Sequence, residues 1–130
     1  MIPTFRVWDE KDKRMLYPGD YTMEIDDYGV HVLGNHNQVI SVDEDENLMQ
    51  STGAFDKRDV EIYEGDIVRF NFPYGKRQRA IGVVVLRDDE ACFGLDIDSS
   101  DEKLRLYRDG RYFEVIGNKY EQPHLLKEDE

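Results

Sequence analysis

The chain has 130 residues, enough for one domain with a core of its own, and its net charge of -12 disfavours nucleic-acid phosphates and anionic membranes as partners. The single cysteine, Cys92, excludes an intramolecular disulfide. The longest apolar run, residues 80–86, is far shorter than the roughly 20 residues that span a bilayer. We therefore expect a cytoplasmic protein that binds no membrane.

Short runs in which apolar and polar residues alternate predict strands throughout the first half of the chain. In chain order these runs are 4–8, 15–17, 21–25, 30–33 and 38–42, and residues 60–63 are expected to form a further short strand or extended segment. Gly29 lies in the turn between the third and fourth runs, where it can supply the positive φ of a tight hairpin. The acidic residues near position 45 are expected to form at most one helical turn.

The clearest pattern of the chain begins at the turn Glu64-Gly65-Asp66. An Asp in such a turn is expected to accept hydrogen bonds from the backbone amides that follow it, and the alternative is a contact with a ligand or partner. After the turn, Val68 and Phe70 alternate with Arg69 and Asn71, which predicts a strand with one buried face.

Further runs predict that a sheet continues to the end of the chain. They are 80–86, 91–97, 104–107 and 112–116, followed by a short helical turn within 120–126. The first is apolar throughout, which is typical of a central strand covered on both faces. Asp109-Gly110 lies between the last two strand runs, and an Asp-Gly turn predicts that these two strands form a hairpin.

These patterns predict an all-β fold of antiparallel strands with a minor helix. We expect one domain over residues 1–130, with an N-terminal β subregion of about residues 1–55 and a C-terminal subregion of about residues 56–130. The C-terminal strands are short and regularly spaced, so they are expected to form a curled sheet, for which a small SH3-like barrel is the best geometric guess.

Residue types that catalyse reactions or bind metals form no recognisable constellation. None of the three histidines lies near a second His or Cys at the spacing of a zinc site. Cys92 lies in an alternating strand, which is typical of a packed thiol rather than a nucleophile. The acidic run 96–102 lacks the central glycine and late glutamate of a calcium loop. We expect no catalytic residue, no cofactor and no metal.

The segment 67–87 contains five basic residues and no acidic one, so it is a basic island in an acidic chain. Its mixture of cations and aromatics is similar to that of single-stranded nucleic-acid sites. The candidate contact residues are Arg69, Tyr74, Lys76, Arg77 and Arg79. Two alternatives remain: a solvated hairpin loop, which the net charge of -12 favours, or a loop that meets an acidic patch of another copy or another protein.

Ordered motifs along nearly the whole chain resemble the YopX family, small proteins encoded by phages and prophages of Gram-positive bacteria. The matching residues are Phe5-Arg6-Val7-Trp8-Asp9, Lys13-Arg14-Met15, residues 48–53, Asp56-Lys57, residues 61–68, residues 113–121 and Pro123. Residues 54–59 depart from the family pattern because they lack an Asn-Gly or Asn-Lys turn, which leaves the turn type open. The resemblance implies a phage or prophage origin and a cytoplasmic setting, and it carries over no catalytic residue.

Together these observations predict a non-enzymatic phage accessory protein that acts through protein–protein contacts. Its partner is not identified by the sequence, and further copies of the chain are among the candidates, which would make the protein a homo-oligomer. The alternative is a nucleic-acid-binding module that uses the basic residues of the loop 69–79.

Overall fold

The structure, a computed structural model, describes residues 4–34, 36, 38–42, 47–71, 79–87, 92–96, 103–105 and 112–126. The backbone divides into two compact units, an N-terminal unit, Met1–Ser51, and a C-terminal unit, Thr52–Glu130. The described residues form twelve strands and the short 3-10 helix Pro123–Leu126, and none of them is α-helical. Because every described strand pair is antiparallel, the predicted all-β antiparallel class is confirmed.

The N-terminal unit contains two groups of strands that share one core. Its strands are β1 (Phe5–Asp9), β2 (Arg14–Leu16), β3 (Thr22–Asp26), β4 (Gly29–Leu33), β5 (Val39–Ile40) and the first half of β6 (Leu48–Phe55). β1 pairs with both β2 and β6, and β4 pairs with both β3 and β5. Val7, Leu16, Val32 and Ile40 pack together in a buried cluster. Burial does not alternate along β1, since Arg6, Trp8 and Asp9 are buried as well as Val7. Gly29 has a φ of 120°, as the hairpin turn requires.

The C-terminal unit is dominated by one five-stranded sheet. Besides the second half of β6, its strands are β7 (Glu61–Tyr63), β8 (Asp66–Asn71), β9 (Arg79–Arg87), β10 (Cys92–Asp96), β11 (Lys103–Arg105) and β12 (Phe113–Asn118). The sheet has the order β11-β10-β9-β8-β12 and curls. Its inner face packs Val68, Phe70, Val84, Leu95 and Phe113 into the core of the unit. Whether the sheet closes as an SH3-like barrel stays a prediction.

The partner of β12 differs from the prediction. β12 pairs with β8, with Phe113 opposite Phe70, and β11 pairs with β10, so the two strands lie at opposite ends of the sheet order. The described residues of β11 and β12 therefore do not pair with each other, while residues 106–111 of the predicted hairpin, with its Asp109-Gly110 turn, lie outside the described residues. The pairing with β8 buries Phe113 against the core, which a pattern of turn residues cannot report.

The outer face of β9 is less covered than its apolar sequence predicts. Gly82 and Val84 are buried on the inner side, whereas Ile81, Val83 and Val85 on the outer side are only half-buried. β9 is a central strand, as predicted, but its outer face is only partly covered. One face carries the core of the unit, and the other is open enough to leave three branched apolar side chains in partial contact with solvent.

The C-terminal segment 119–126 packs over one end of this outer face. Gly117 lies opposite Ile67 in the pairing of β12 with β8, next to a bulge at Val115/Gly117. A Cβ atom at Gly117 would lie 2.7 Å from Oε1 of Gln122 and 3.0 Å from Cδ1 of Leu125. Glycine at this position is therefore what allows the segment to approach the sheet, and Ile67 beside it is fully buried.

We predict that Gly117→Ala lowers the free energy of unfolding by about 1–3 kcal/mol, because the added methyl group pushes Gln122 away from its position. Oε1 of Gln122 accepts a hydrogen bond from the backbone N–H of Asn118 at 3.0 Å, and this bond would be lost as well. The measurement is denaturant unfolding of a double-mutant cycle with Gln122→Ala. The two costs should be less than additive, since Gln122→Ala relieves the contact, and strictly additive costs would contradict this packing.

Candidate functional site

Asp56 connects the turn 56–60 to strand β12. Its side chain is buried, with 5% of its residue surface exposed. Oδ1 accepts hydrogen bonds from the backbone N–H groups of Arg58 and Val60, both at 2.9 Å, and Oδ2 accepts one from Val115 at 2.9 Å. Asp59 takes the left-handed conformation, with a φ of 67°. This turn, organised by a carboxylate, stands where the family resemblance led us to expect an Asn-Gly or Asn-Lys turn.

The environment of Asp56 favours its ionised form. Burial is the largest single influence and raises the pKa of Asp56, but the backbone bonds from Val115, Val60 and Arg58, with the nearby Arg58 charge, together lower it. The pKa of the folded protein therefore lies below that of the unfolded chain. The stabilisation is complete above the unfolded value of about 4 and is lost as the pH falls through the lower folded value.

We predict that Asp56→Asn lowers the free energy of unfolding by about 2 kcal/mol at neutral pH, because an amide nitrogen then faces at least one backbone N–H. Below about pH 4 the stability of the variant should fall less steeply than that of the wild type, since the titrating carboxyl is gone. Urea unfolding from pH 3 to 7 measures both effects. Asp59→Asn is the matched control, because the side chain of Asp59 is exposed in the same turn and Asn tolerates a positive φ. Equal losses of stability in the two variants would contradict the role of Asp56.

The turn before β8 is also structural. Gly65 has a φ of 83°, its N–H donates to the carbonyl of Val84 at 2.9 Å, and its carbonyl accepts from the N–H of Lys119 at 2.9 Å. Oδ2 of the buried Asp66 accepts from the backbone N–H of Tyr63 at 2.8 Å. The donor of this bond precedes Asp66 in the chain, whereas the expected donors follow it. The geometry assigns this turn to the framework that joins β7, β8, β9 and the C-terminal segment.

Basic positions cluster on the outer face of the five-stranded sheet, which we define as the side opposite the core. Arg69 is exposed on this face, opposite Ile81 of β9 on one side and Glu114 of β12 on the other. By the register, basic residues occupy outer-face positions 69, 79, 87, 103 and 105, and acidic residues occupy positions 96 and 114. Strands that are far apart in sequence therefore bring basic positions to one face of an acidic protein.

Glu114 lies among cations at the β12 edge of this face. The ammonium of Lys57 lies 2.9 Å from Oε2 of Glu114, and Nη2 of Arg58 lies 3.9 Å from Oε1. The hydrogen bond from Lys57 lowers the pKa of Glu114, and the charges of Lys57, Arg58 and Arg69 lower it further against the effect of burial. The turn 56–60 thus adds two cations to the outer face, together with the exposed side chain of Asp59.

The structure brings together only part of the predicted site. Arg69 is on the outer face as the alternation predicts. Arg79 is the first residue of β9, paired with Asn71, which corrects its predicted place in the loop 69–79. Tyr74, Lys76 and Arg77 lie outside the described residues. The contributions of Lys57 and Arg58 were missed, because their approach to Glu114 depends on a turn that is remote in sequence.

A second exposed surface lies at the end of the hairpin β3–β4 in the N-terminal unit. We define the hairpin tip as residues 24–28, where Tyr28 is 91% exposed and Ile25 is 72% exposed. Glu24, Asp26 and Asp27 are exposed beside them. The sequence predicted the hairpin. The exposed apolar surface at its tip was indicated only by the aromatic residue Tyr28 within the turn.

The hairpin tip has a defined turn geometry. Oδ1 of Asp26 accepts from the backbone N–H of Tyr28 at 2.8 Å and lies 3.0 Å from Nε2 of His31. The bond from Tyr28, followed by that from His31, lowers the pKa of Asp26, so this carboxyl is ionised at neutral pH. The tip therefore presents two large apolar side chains among three carboxylates on an ordered turn.

The next feature is the set of side chains that bind metals. Within them, no group of three or more His, Cys, Asp or Glu side chains could hold a metal ion. The side chain of Cys92 and residues 97–102 of the calcium-like run lie outside what the structure describes. No helix among the described residues is long and apolar enough to cross a membrane.

These features define the class of the chain as a two-unit, all-β protein whose turns are fixed by buried polar side chains. The chain belongs to the YopX protein family, whose family model matches residues 4–127. It is similar to the crystal structure of protein YopX from Bacillus subtilis, with 25% identity, 95% of each chain covered and a TM-score of 0.64. It is also similar to protein EF1440 from Enterococcus faecalis, with 27% identity, 97% of this chain and 99% of that chain covered, and a TM-score of 0.57. No curated protein matches the chain.

Proposed function

We propose that the chain is a non-enzymatic accessory protein that acts in the cytoplasm through protein–protein contacts, encoded by a phage or prophage. The observation that carries this proposal is the hairpin tip, where Tyr28 is 91% and Ile25 72% exposed on an ordered turn. Tyrosine is enriched among the residues that dominate binding energy at protein interfaces, because it combines a large apolar area with few rotatable bonds.

The motifs that carry the family resemblance also support a binding role, because their residues are used in the framework of the fold. Asp56, Gly65 and Asp66 belong to those motifs, and all three are used in buried turns that hold strands together. Residues of this kind fix the framework. Contact with partners is then left to exposed surfaces, of which the hairpin tip and the outer face are the two best described.

We predict that Tyr28→Ser weakens partner binding by about 30-fold, the equivalent of a 2 kcal/mol interface residue, without changing stability. The measurement is affinity capture from host-cell lysate with quantitative mass spectrometry, comparing wild type and variant as bait. Tyr17→Ser is the matched control, because Tyr17 is a second exposed tyrosine of the same unit, 42% exposed. A partner set that is the same for wild type and both variants would refute the role of the tip.

A second function, binding of nucleic acid, is favoured by one specific observation. The register collects basic residues from β8, β9 and β11 on the outer face, beside the half-buried Ile81, Val83 and Val85. A basic sheet face can bind phosphates even when the whole chain is acidic, provided that the local potential is positive. The contact residues of this candidate are Arg69, Tyr74, Lys76, Arg77 and Arg79, as predicted from the sequence.

If nucleic acid is the ligand, Arg69→Gln should weaken binding to all sequences alike and reduce the slope of log affinity against log salt by about 1. The measurement is fluorescence anisotropy with labelled single- and double-stranded DNA and RNA at several salt concentrations. Lys11→Gln, which removes an exposed cation from the N-terminal unit, should leave binding unchanged. Absence of salt-sensitive binding by the wild type at low ionic strength would exclude this function.

A further inference from the structure

We propose that the hairpin tip of one copy of the chain docks on the outer face of a second copy. The proposal rests on the proposed function and names a partner for it, a second molecule of the same chain. It uses the two surfaces already described, one in each unit, which differ in charge and share an apolar component.

The charges of the two surfaces are complementary. The hairpin tip has Glu24, Asp26 and Asp27 exposed, and the first 55 residues contain eleven acidic against four basic residues. The outer face has basic residues at five register positions and acidic residues at two. Opposite surface charges of this kind speed association and fix the orientation of the partners.

The apolar components of the two surfaces also match. The outer side of β9 leaves Ile81, Val83 and Val85 half-buried, a row of branched side chains along the middle of the sheet. Tyr28 and Ile25 expose apolar area at the hairpin tip. Docking would remove apolar surface from water on both partners, which gains about 25 cal/mol for each Å² buried.

The proposed contact joins two different surfaces, a hairpin tip and an outer face. Each copy has one of each, so each copy can take part in two such contacts. Two copies can exchange tips reciprocally as a closed pair, or several copies can form a ring. In both arrangements the copies are equivalent and every tip is occupied. The self-repulsion of chains with a net charge of -12 opposes assembly at low salt at long range, while the local contact remains attractive.

The test reverses the charges on each surface separately. A tip variant carries Glu24→Lys with Asp27→Lys, and a face variant carries Arg69→Glu with Arg79→Glu. Light scattering over a range of concentrations measures the self-association of each variant and of an equimolar mixture of the two. A control variant, Lys11→Glu with Lys13→Glu, makes the same change in net charge as the face variant with exposed residues of the turn between β1 and β2.

We expect the wild type and the control to self-associate, and the tip and face variants alone to be weakened by about tenfold or more, because attractive pairs become repulsive. The mixture should regain self-association, since each variant supplies one native and one reversed surface that pair across the two molecules. The two variants must alternate, so a pair or a ring with an even number of copies regains the wild-type mass, and a ring with an odd number is replaced by an even one. Circular dichroism confirms folding. If reversal beside Glu114 prevents folding, Arg69→Gln with Arg79→Gln replaces the face variant in the comparison of single variants.

A wild type that stays monomeric at all concentrations would overturn the proposal, and so would single variants that assemble as the wild type does. A mixture that fails to recover would overturn it as well. In these cases loss of captured proteins on Tyr28→Ser would still support the proposed function, so the two failures are distinguishable. Binding of DNA or RNA by the wild type that the face variant loses, with self-association unchanged, would identify nucleic acid as the occupant instead.

Discussion

The position of β12 depends on three backbone N–H groups that share the carboxylate of Asp56. One of them belongs to Val115, 59 residues further along the chain, so the bonds join a turn to an edge strand. Once β12 lies beside β8, Phe113 enters the core and Asn118 lies opposite Asp66. The C-terminal segment then reaches Gly65 through the N–H of Lys119. A buried carboxylate with this many donors is costly to remove, because each orphaned N–H keeps its desolvation penalty.

By itself, the net charge of the chain indicates only that anions are repelled. The fold shows on which surfaces the charged residues lie. Averaged over the chain, -12 argues against phosphate ligands. The register of the sheet separates the charges, because alternate positions of β8, β9 and β11 lie on the face opposite the core. A protein of this kind can repel anions from a distance and still hold one at a particular face.

Local patterns predicted most strands of the fold, since alternation and turn residues act within a few residues of each other. The runs around β1, β3, β4, β8 and β9 were placed correctly to within one or two residues. The pairing of β12 was missed, because Asp109-Gly110 is a local hairpin signal while the bonds from Asp56 act over a long separation. Of the candidate site, Arg69 was predicted on an exposed face from the alternation of β8, and the exposed fraction of Tyr28 could only be seen once the packing around the turn was known.

Strand β6 runs from Leu48 to Phe55 and crosses the boundary between the two units, which falls between Ser51 and Thr52. Its first half pairs with β1, and in its second half Oγ1 of Thr52 donates a hydrogen bond to the carbonyl of Ile62. No flexible linker separates the units in the chain. Unfolding of one half of β6 therefore frays the end of its other half. We therefore expect the cooperativity of unfolding to extend across both units, with one transition where a linked pair of domains would show two.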